Sequence, residues 1–81
     1  MSITVEQIRA ARAALKWTAG ELAEKAGIAP RTMQTIESNT GVPEVRKSTI
    51  LAIVQILSSA GIEFIGTPDD RPGIRIGKPK R

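Results

Sequence analysis

Thr18-Ala19-Gly20-Glu21-Leu22-Ala23-Glu24-Lys25-Ala26-Gly27-Ile28-Ala29-Pro30-Arg31-Thr32-Met33-Gln34-Thr35-Ile36-Glu37-Ser38 is the stretch on which the fold turns. Thr18 with Glu21 three residues on reads as a capping box: the threonine oxygen and the glutamate carboxylate satisfy free N–H groups of a first helical turn. Leu22, Ala23 and Ala26 give that helix a short apolar face, and Gly27 stands where a left-handed cap stops it. Only Ile28 and Ala29 separate Gly27 from Pro30, and proline is well tolerated at the first position of a helix. A second helix is therefore predicted over about 30–38, with Met33 and Ile36 inward, fading at Ser38-Asn39-Thr40-Gly41. Two helices joined by so short a glycine-containing turn suggest a helix-turn-helix unit over 18–38. An ordinary helical hairpin in a small bundle carries the same pattern.

The flanks supply the rest of the bundle. Thr4 and Gln7 form another capping box, and Val5, Ile8, Ala11 and Leu15 recur at helical spacing, which predicts a helix over about 5–15. Asn39 to Lys47, with Gly41 and Pro43, reads as a loop. A further helix opens at Lys47 or Ser48 and ends at Gly61. It is apolar nearly all round (Ile50, Leu51, Ile53, Val54, Ile56, Leu57), so it must be covered on two sides. From residue 62 the period changes to two: Ile62-Glu63-Phe64-Ile65 and Gly73-Ile74-Arg75-Ile76 flank the turn material Thr67 to Pro72. This predicts a β-hairpin with a long loop, which must pack on something to be stable. The expected organisation is a mainly α bundle of about four helices over 1–61, a hairpin over 62–77 on the same domain or on a dimer partner, and a basic disordered tail at 78–81.

Composition narrows the function. With 81 residues, one domain is expected. No cysteine and no histidine exclude disulfides, thiolate metal sites, His triads and His zinc sites, so neither a cofactor nor a metal is expected. Six scattered glutamates and two loop aspartates form no acid/base pair, and no glycine-rich phosphate loop is present, so the expectation is not an enzyme. The longest apolar run is far short of the ~20 residues that span a bilayer, and the N-terminus has no basic, apolar leader. A soluble intracellular protein is the default. The net charge of +4 is mostly a tail property: residues 1–65 carry seven basic and six acidic side chains, residues 66–81 five and two. The case for a polyanion partner thus rests on local placement.

That placement centres on the helix at 30–38. Arg31, Gln34, Thr35 and Ser38 lie at i, i+3, i+4 and i+7, one stripe with no carboxylate. Arginine pairs with guanine O6/N7, glutamine with adenine N6/N7, and threonine can touch a thymine methyl, so Arg31, Gln34 and Thr35 are the candidate base readers. A solvated polar face is the plain alternative. Phosphate contacts are expected from Thr18, Ala19, Gly20 and Thr32 at the helix starts, and from Ser38, Asn39, Arg46 and Lys47 beyond the reading helix. Arg12 lies within the apolar stripe of the first helix and Glu37 on the inward side of the third, which suggests a partly buried ion pair fixing the angle of the reading helix. Trp17 is expected in the core. Ile53, Ile56 and Ile65 are candidate dimer-interface residues.

Ile8-Arg9-Ala10-Ala11-Arg12, Leu15-Lys16-Trp17-Thr18, Glu21 to Ile28 and Arg31 to Glu37 resemble the Xre/Cro-type, phage-repressor-like helix-turn-helix domains, over about residues 5–61. The tail, Ala60 to Ile65 and Pro72 to Ile76, resembles that of many small bacterial regulators of this family. The resemblance implies a cytoplasmic, nucleoid-associated bacterial regulator that binds a double-stranded operator as a homodimer. It also implies that Arg12 pairs with Glu37 and that Arg31, Gln34 and Thr35 face the major groove. The chain departs from the family at Ala19, where glutamine is usual, at Ala29, where a Ser or Thr cap is frequent, and at Pro30, where a contacting side chain often stands. Two alternatives remain: an antitoxin that binds its operator and a toxin partner, or a protein-interaction module that has lost DNA binding.

Overall fold

Both capping boxes form. Thr4 Oγ1 accepts from the Gln7 amide (3.1 Å) and Gln7 Oε1 from the Thr4 amide (2.8 Å), opening α1 (Val5–Ala14). Thr18 and Glu21 repeat the exchange (3.0 and 2.9 Å) and open α2 (Ala19–Ala26). Gly27 closes α2 with φ +69°, the left-handed geometry that costs a glycine no Cβ clash. After Ile28 and Ala29, α3 (Pro30–Glu37) starts on its proline with no side-chain cap, because Ala29 has none to give. α4 (Lys47–Ser59) follows the loop, and β1 (Ile62–Thr67) and β2 (Asp70–Ile76) form an antiparallel hairpin. The computed structural model describes residues 2–79. Lys78 and Pro79 continue without regular structure, and Lys80 and Arg81, the rest of the expected basic tail, lie outside the described residues.

The core draws on every helix and on the hairpin: Val5, Ile8 and Ala11 from α1, Leu22 and Ala23 from α2, Met33 and Ile36 from α3, Ile53 and Leu57 from α4, and Ile62 from β1, with Ile3 ahead of them. The chain is thus a mainly α bundle of four helices with a C-terminal hairpin. At about 25 cal/mol per Å², burying these side chains supplies most of the drive to fold.

Two expectations need correction. The hairpin loop is short, not long: only Pro68 and Asp69 separate the strands. Pairing runs Ile62 with Ile76 through Ile65 with Gly73, then shifts so that Thr67 faces Asp70. Arg71 and Pro72 thus oppose Gly66 as a bulge, which absorbs both the missing proline N–H and the Arg71 φ of +49°. A Cβ on Gly66 would collide with the Arg71 carbonyl, so only glycine fits opposite the bulge. Second, Ile53 is no interface residue. It is fully buried in the chain's own core, while Leu51 stays half-exposed and Ile50 and Val54 are only partly covered, so α4 is not covered on two sides as its composition suggested. Ile56 also packs partly on that core, and Ile65 is half-buried with its side chain over Gly73. The stop of α1 uses no glycine. Lys16 holds the left-handed position at φ +60°, and the Trp17 amide donates to Arg12 O (3.0 Å).

The hairpin is fixed to its own domain through a residue whose sequence role was capping alone. Buried Gln7 donates from Nε2 to Ile65 O (3.1 Å) and Gly73 O (2.8 Å), one from each strand, while its Oε1 serves the α1 cap. One amide side chain therefore joins the first turn of α1 to the sheet, with both its polar atoms partnered.

Candidate nucleic-acid interface

The apolar positions of α3, Met33 and Ile36, point into the core, so helical geometry turns Arg31, Gln34, Thr35 and Ser38 outward. All four are exposed. Arg31 and Gln34 make no side-chain hydrogen bond and Arg31 no ion pair among the described residues, so their donors face water. Thr35 Oγ1 donates to Arg31 O (3.0 Å), Ser38 Oγ to Thr35 O (2.9 Å) and Asn39 Nδ2 to the same Thr35 O (2.8 Å). Ser38 and Asn39 thereby share one last-turn carbonyl of α3, that of Thr35. The stripe retains one fixed cation and no carboxylate.

Backbone donors stand on its flank. Within α2 the Glu21 and Leu22 amides bond Thr18, so the first free amides are those of Ala19 and Gly20. Within α3 the proline lacks an N–H and Met33 already bonds Ala29 O, leaving Arg31 and Thr32. An open hollow lined by Ala19, Gly20, Pro30, Gln34, Glu37 and Ser38 brings the α2 start beside the reading stripe. On the far side of α3 a smaller hollow runs from Thr35 and Asn39 to Val42, Pro43 and Glu44. Glu44 places there an acid with no ion pair among the described residues, which disfavours phosphate on that flank, whereas Glu37 beside the first hollow is neutralised by Arg12. Arg46 and Lys47, exposed at the α4 start, line neither hollow. Arg46 caps nothing with its side chain, and both cations meet the unfavourable end of the α4 dipole.

Arg12 and Glu37 meet. Arg12 Nε lies 2.9 Å from Glu37 Oε2 and Nη2 2.8 Å from Oε1, a forked guanidinium–carboxylate contact, and Nη1 donates to Trp17 O (3.0 Å). The Glu37 side chain keeps only 10% exposure and Arg12 24%. This ties α1 to the last residue of α3 and to the α1–α2 turn together. Trp17 packs on the core edge with Lys25 Nζ 4.9 Å from its ring centre, the distance of a cation–π contact.

Two carboxylates at helix starts are held below the usual range. Hydrogen bonds from its own amide and from Gly41 N–H, then the charge of Arg9, lower the Glu6 carboxyl. The Thr18 amide, the Thr18 hydroxyl and then Lys25 lower that of Glu21. Among the described residues no cluster of acidic side chains is arranged to hold a metal ion, and no helix is long and apolar enough to cross a membrane.

Compared with known proteins, the chain matches no protein-family model and no curated protein.

Proposed function

We propose that this chain is a sequence-specific DNA-binding transcriptional regulator of repressor type, a helix-turn-helix protein of the Xre/Cro kind acting in the bacterial cytoplasm on the nucleoid. The observation that carries the reading is the α3 stripe: four exposed polar residues without a carboxylate, with Arg31 and Gln34 unengaged, on a helix whose far face is locked in the core. Arg31 and Gln34 lie in the N-terminal half of α3, the part that meets base edges when such a helix enters a major groove. The free amides of Ala19 and Gly20 across the adjoining hollow suit phosphate, and Arg46 and Lys47 add cations further out. A single eight-residue helix reads only a few base pairs, so the operator is a two-fold site bound by a homodimer.

Selection from a random duplex library, followed by titration of the recovered duplex and a scrambled one across salt, tests this. A two-half-site palindrome bound ~10³-fold or more above the scrambled duplex supports the reading. Equal affinity for every duplex refutes it.

A further inference from the structure

Arg9 has no role in the interface described above, yet it sits where the reading helix ends. It lies on α1 one turn before Arg12 and one turn after Glu6, and it is only half-exposed. Its Nη1 donates to Glu37 O (2.8 Å) and, more loosely, to Asn39 O (3.4 Å), while Nη2 stands 3.9 Å from Glu6 Oε2. Below it the same face of α1 grips the exit loop in both directions: Val5 N–H donates to Gly41 O (2.8 Å) and Gly41 N–H to Glu6 Oε1 (3.1 Å). Above it Arg12 holds the Glu37 carboxylate. One edge of α1 is therefore a ladder that takes the side chain of Glu37, its carbonyl, the Asn39 carbonyl and both polar groups of Gly41.

We infer that Arg9 is a positioning residue for sequence reading: it fixes the C-terminal end of α3, and with it the angle at which Arg31 and Gln34 are presented. The inference rests on the DNA-reading proposal and deepens it. The geometry excludes two simpler roles. Arg9 is not the partner of the Glu37 carboxylate, whose forked contact belongs to Arg12. Nor is it a free surface cation, since its guanidinium is engaged with the Glu37 carbonyl, which the last turn of α3 leaves unsatisfied, and with the Asn39 carbonyl just beyond the helix. A guanidinium spreads its donors over a fixed fork and can hold two carbonyls at once, whereas a lysine ammonium would take one. Ser38 and Asn39 side chains donate to the Thr35 carbonyl, and Arg9 supplies the donor that the Glu37 and Asn39 carbonyls accept from. A base contact depends on alignment to a fraction of an ångström, while a phosphate contact from a flexible side chain tolerates a small tilt. Loosening α3 at one end therefore weakens reading more than anchoring.

The experiment compares the parent with Arg9→Gln and Arg9→Lys on the selected and the scrambled duplex at several salt concentrations, with amide exchange and melting measured on the free proteins. Arg9→Gln is expected to lower the ratio of the two affinities about tenfold, the worth of one misaligned base contact, with an unchanged salt slope. The amides of Ser38, Asn39 and Gly41 should exchange faster, and Arg9→Lys should recover part of both effects. Should Arg9→Gln not fold, Arg9→Lys is read alone, with a smaller fall in the ratio expected. A salt slope smaller by ~1 with equal losses on both duplexes makes Arg9 a phosphate contact and overturns the inference. An unchanged ratio overturns it as well. If the parent itself does not discriminate, the DNA reading fails, and the exchange arm decides alone: unaltered Ser38, Asn39 and Gly41 amides refute the clamp and faster ones retain it.

Discussion

Removing one member of the Arg12–Glu37 pair should cost more than any surface substitution in this chain. The magnitude follows from what each partner leaves behind. A fully buried pair loses about 3–5 kcal/mol when one member goes, and an exposed pair about 0–1. With Glu37 at 10% exposure and Arg12 at 24%, the pair lies toward the buried end. Arg12→Met strands a nearly buried carboxylate and also frees the Trp17 carbonyl, so about 3 kcal/mol is expected. Glu37→Leu leaves a guanidinium that still reaches Trp17 O and some water, so about 2 kcal/mol is expected. For a domain of this size each kcal/mol moves Tm by about 4–8 °C, so Arg12→Met should melt roughly 15 °C below the parent. The double variant replaces the pair with apolar side chains of similar reach and should lie within about 1 kcal/mol of the parent. Urea unfolding followed by Trp17 fluorescence and by circular dichroism gives all four corners of the cycle. Trp17 adjoins the pair, so its emission also reports local loosening that circular dichroism misses. Losses below about 0.5 kcal/mol for both single variants, or a double variant as poor as their sum, would refute the argument that a largely buried, forked contact couples α1 to α3.

Other outcomes follow from particular residues. Arg31→Ala should leave melting unchanged, cost about 1–3 kcal/mol on the selected operator and relax preference at one base position, whereas Arg46→Ala or Lys47→Ala should weaken all duplexes alike and reduce the salt slope by ~1; titration on specific and scrambled duplexes separates the two behaviours. Lys16→Gly should stabilise the fold by up to about 1 kcal/mol in urea melts, since it relieves an exposed residue at φ +60° with no hydrogen bond or ion pair from its side chain among the described residues. Both Glu6 and Glu21 have lowered folded-state pKa values, so the stability they contribute is present above their ordinary value of 4.5 and is lost as pH falls below it. Glu21→Gln keeps a side-chain acceptor for the Thr18 amide, so its melting temperature should depend less on pH between about 5 and 3 than the parent's; an identical pH profile would mean that this carboxylate contributes nothing to acid sensitivity.

Local chemistry was legible because it acts within a few residues. Thr4 with Gln7, Thr18 with Glu21, Gly27 and Pro30 each set a helix boundary through hydrogen bonds and φ limits that neighbours alone impose. Periodicity added the faces: Met33 and Ile36 inward fixed Arg31 and Gln34 outward, and the change to period two at Ile62 announced the hairpin. The inward placement of Arg12 and Glu37 on two predicted helices was enough to pair them, because buried opposite charges need each other.

Tertiary structure decided what depends on groups far apart in the chain. Which face of α4 turns inward is a matter of packing between distant elements, and it moved Ile53 from candidate interface to sealed core. The bulge that shortened the loop depends on how Gly66 meets Arg71 and Pro72 across the sheet, which alternation along one strand does not encode. Lys16 could take a glycine's place only because the α1–α2 turn is held from outside, by Arg12 on Trp17 O and by Trp17 against the core. The bonds of Gln7 to Ile65 and Gly73, and of Arg9 to Glu37 and Asn39, span from 28 to 66 residues. A side-chain donor carries no mark in sequence of which distant carbonyl it will satisfy. Folding makes that choice, since every polar group it takes from water must find a partner.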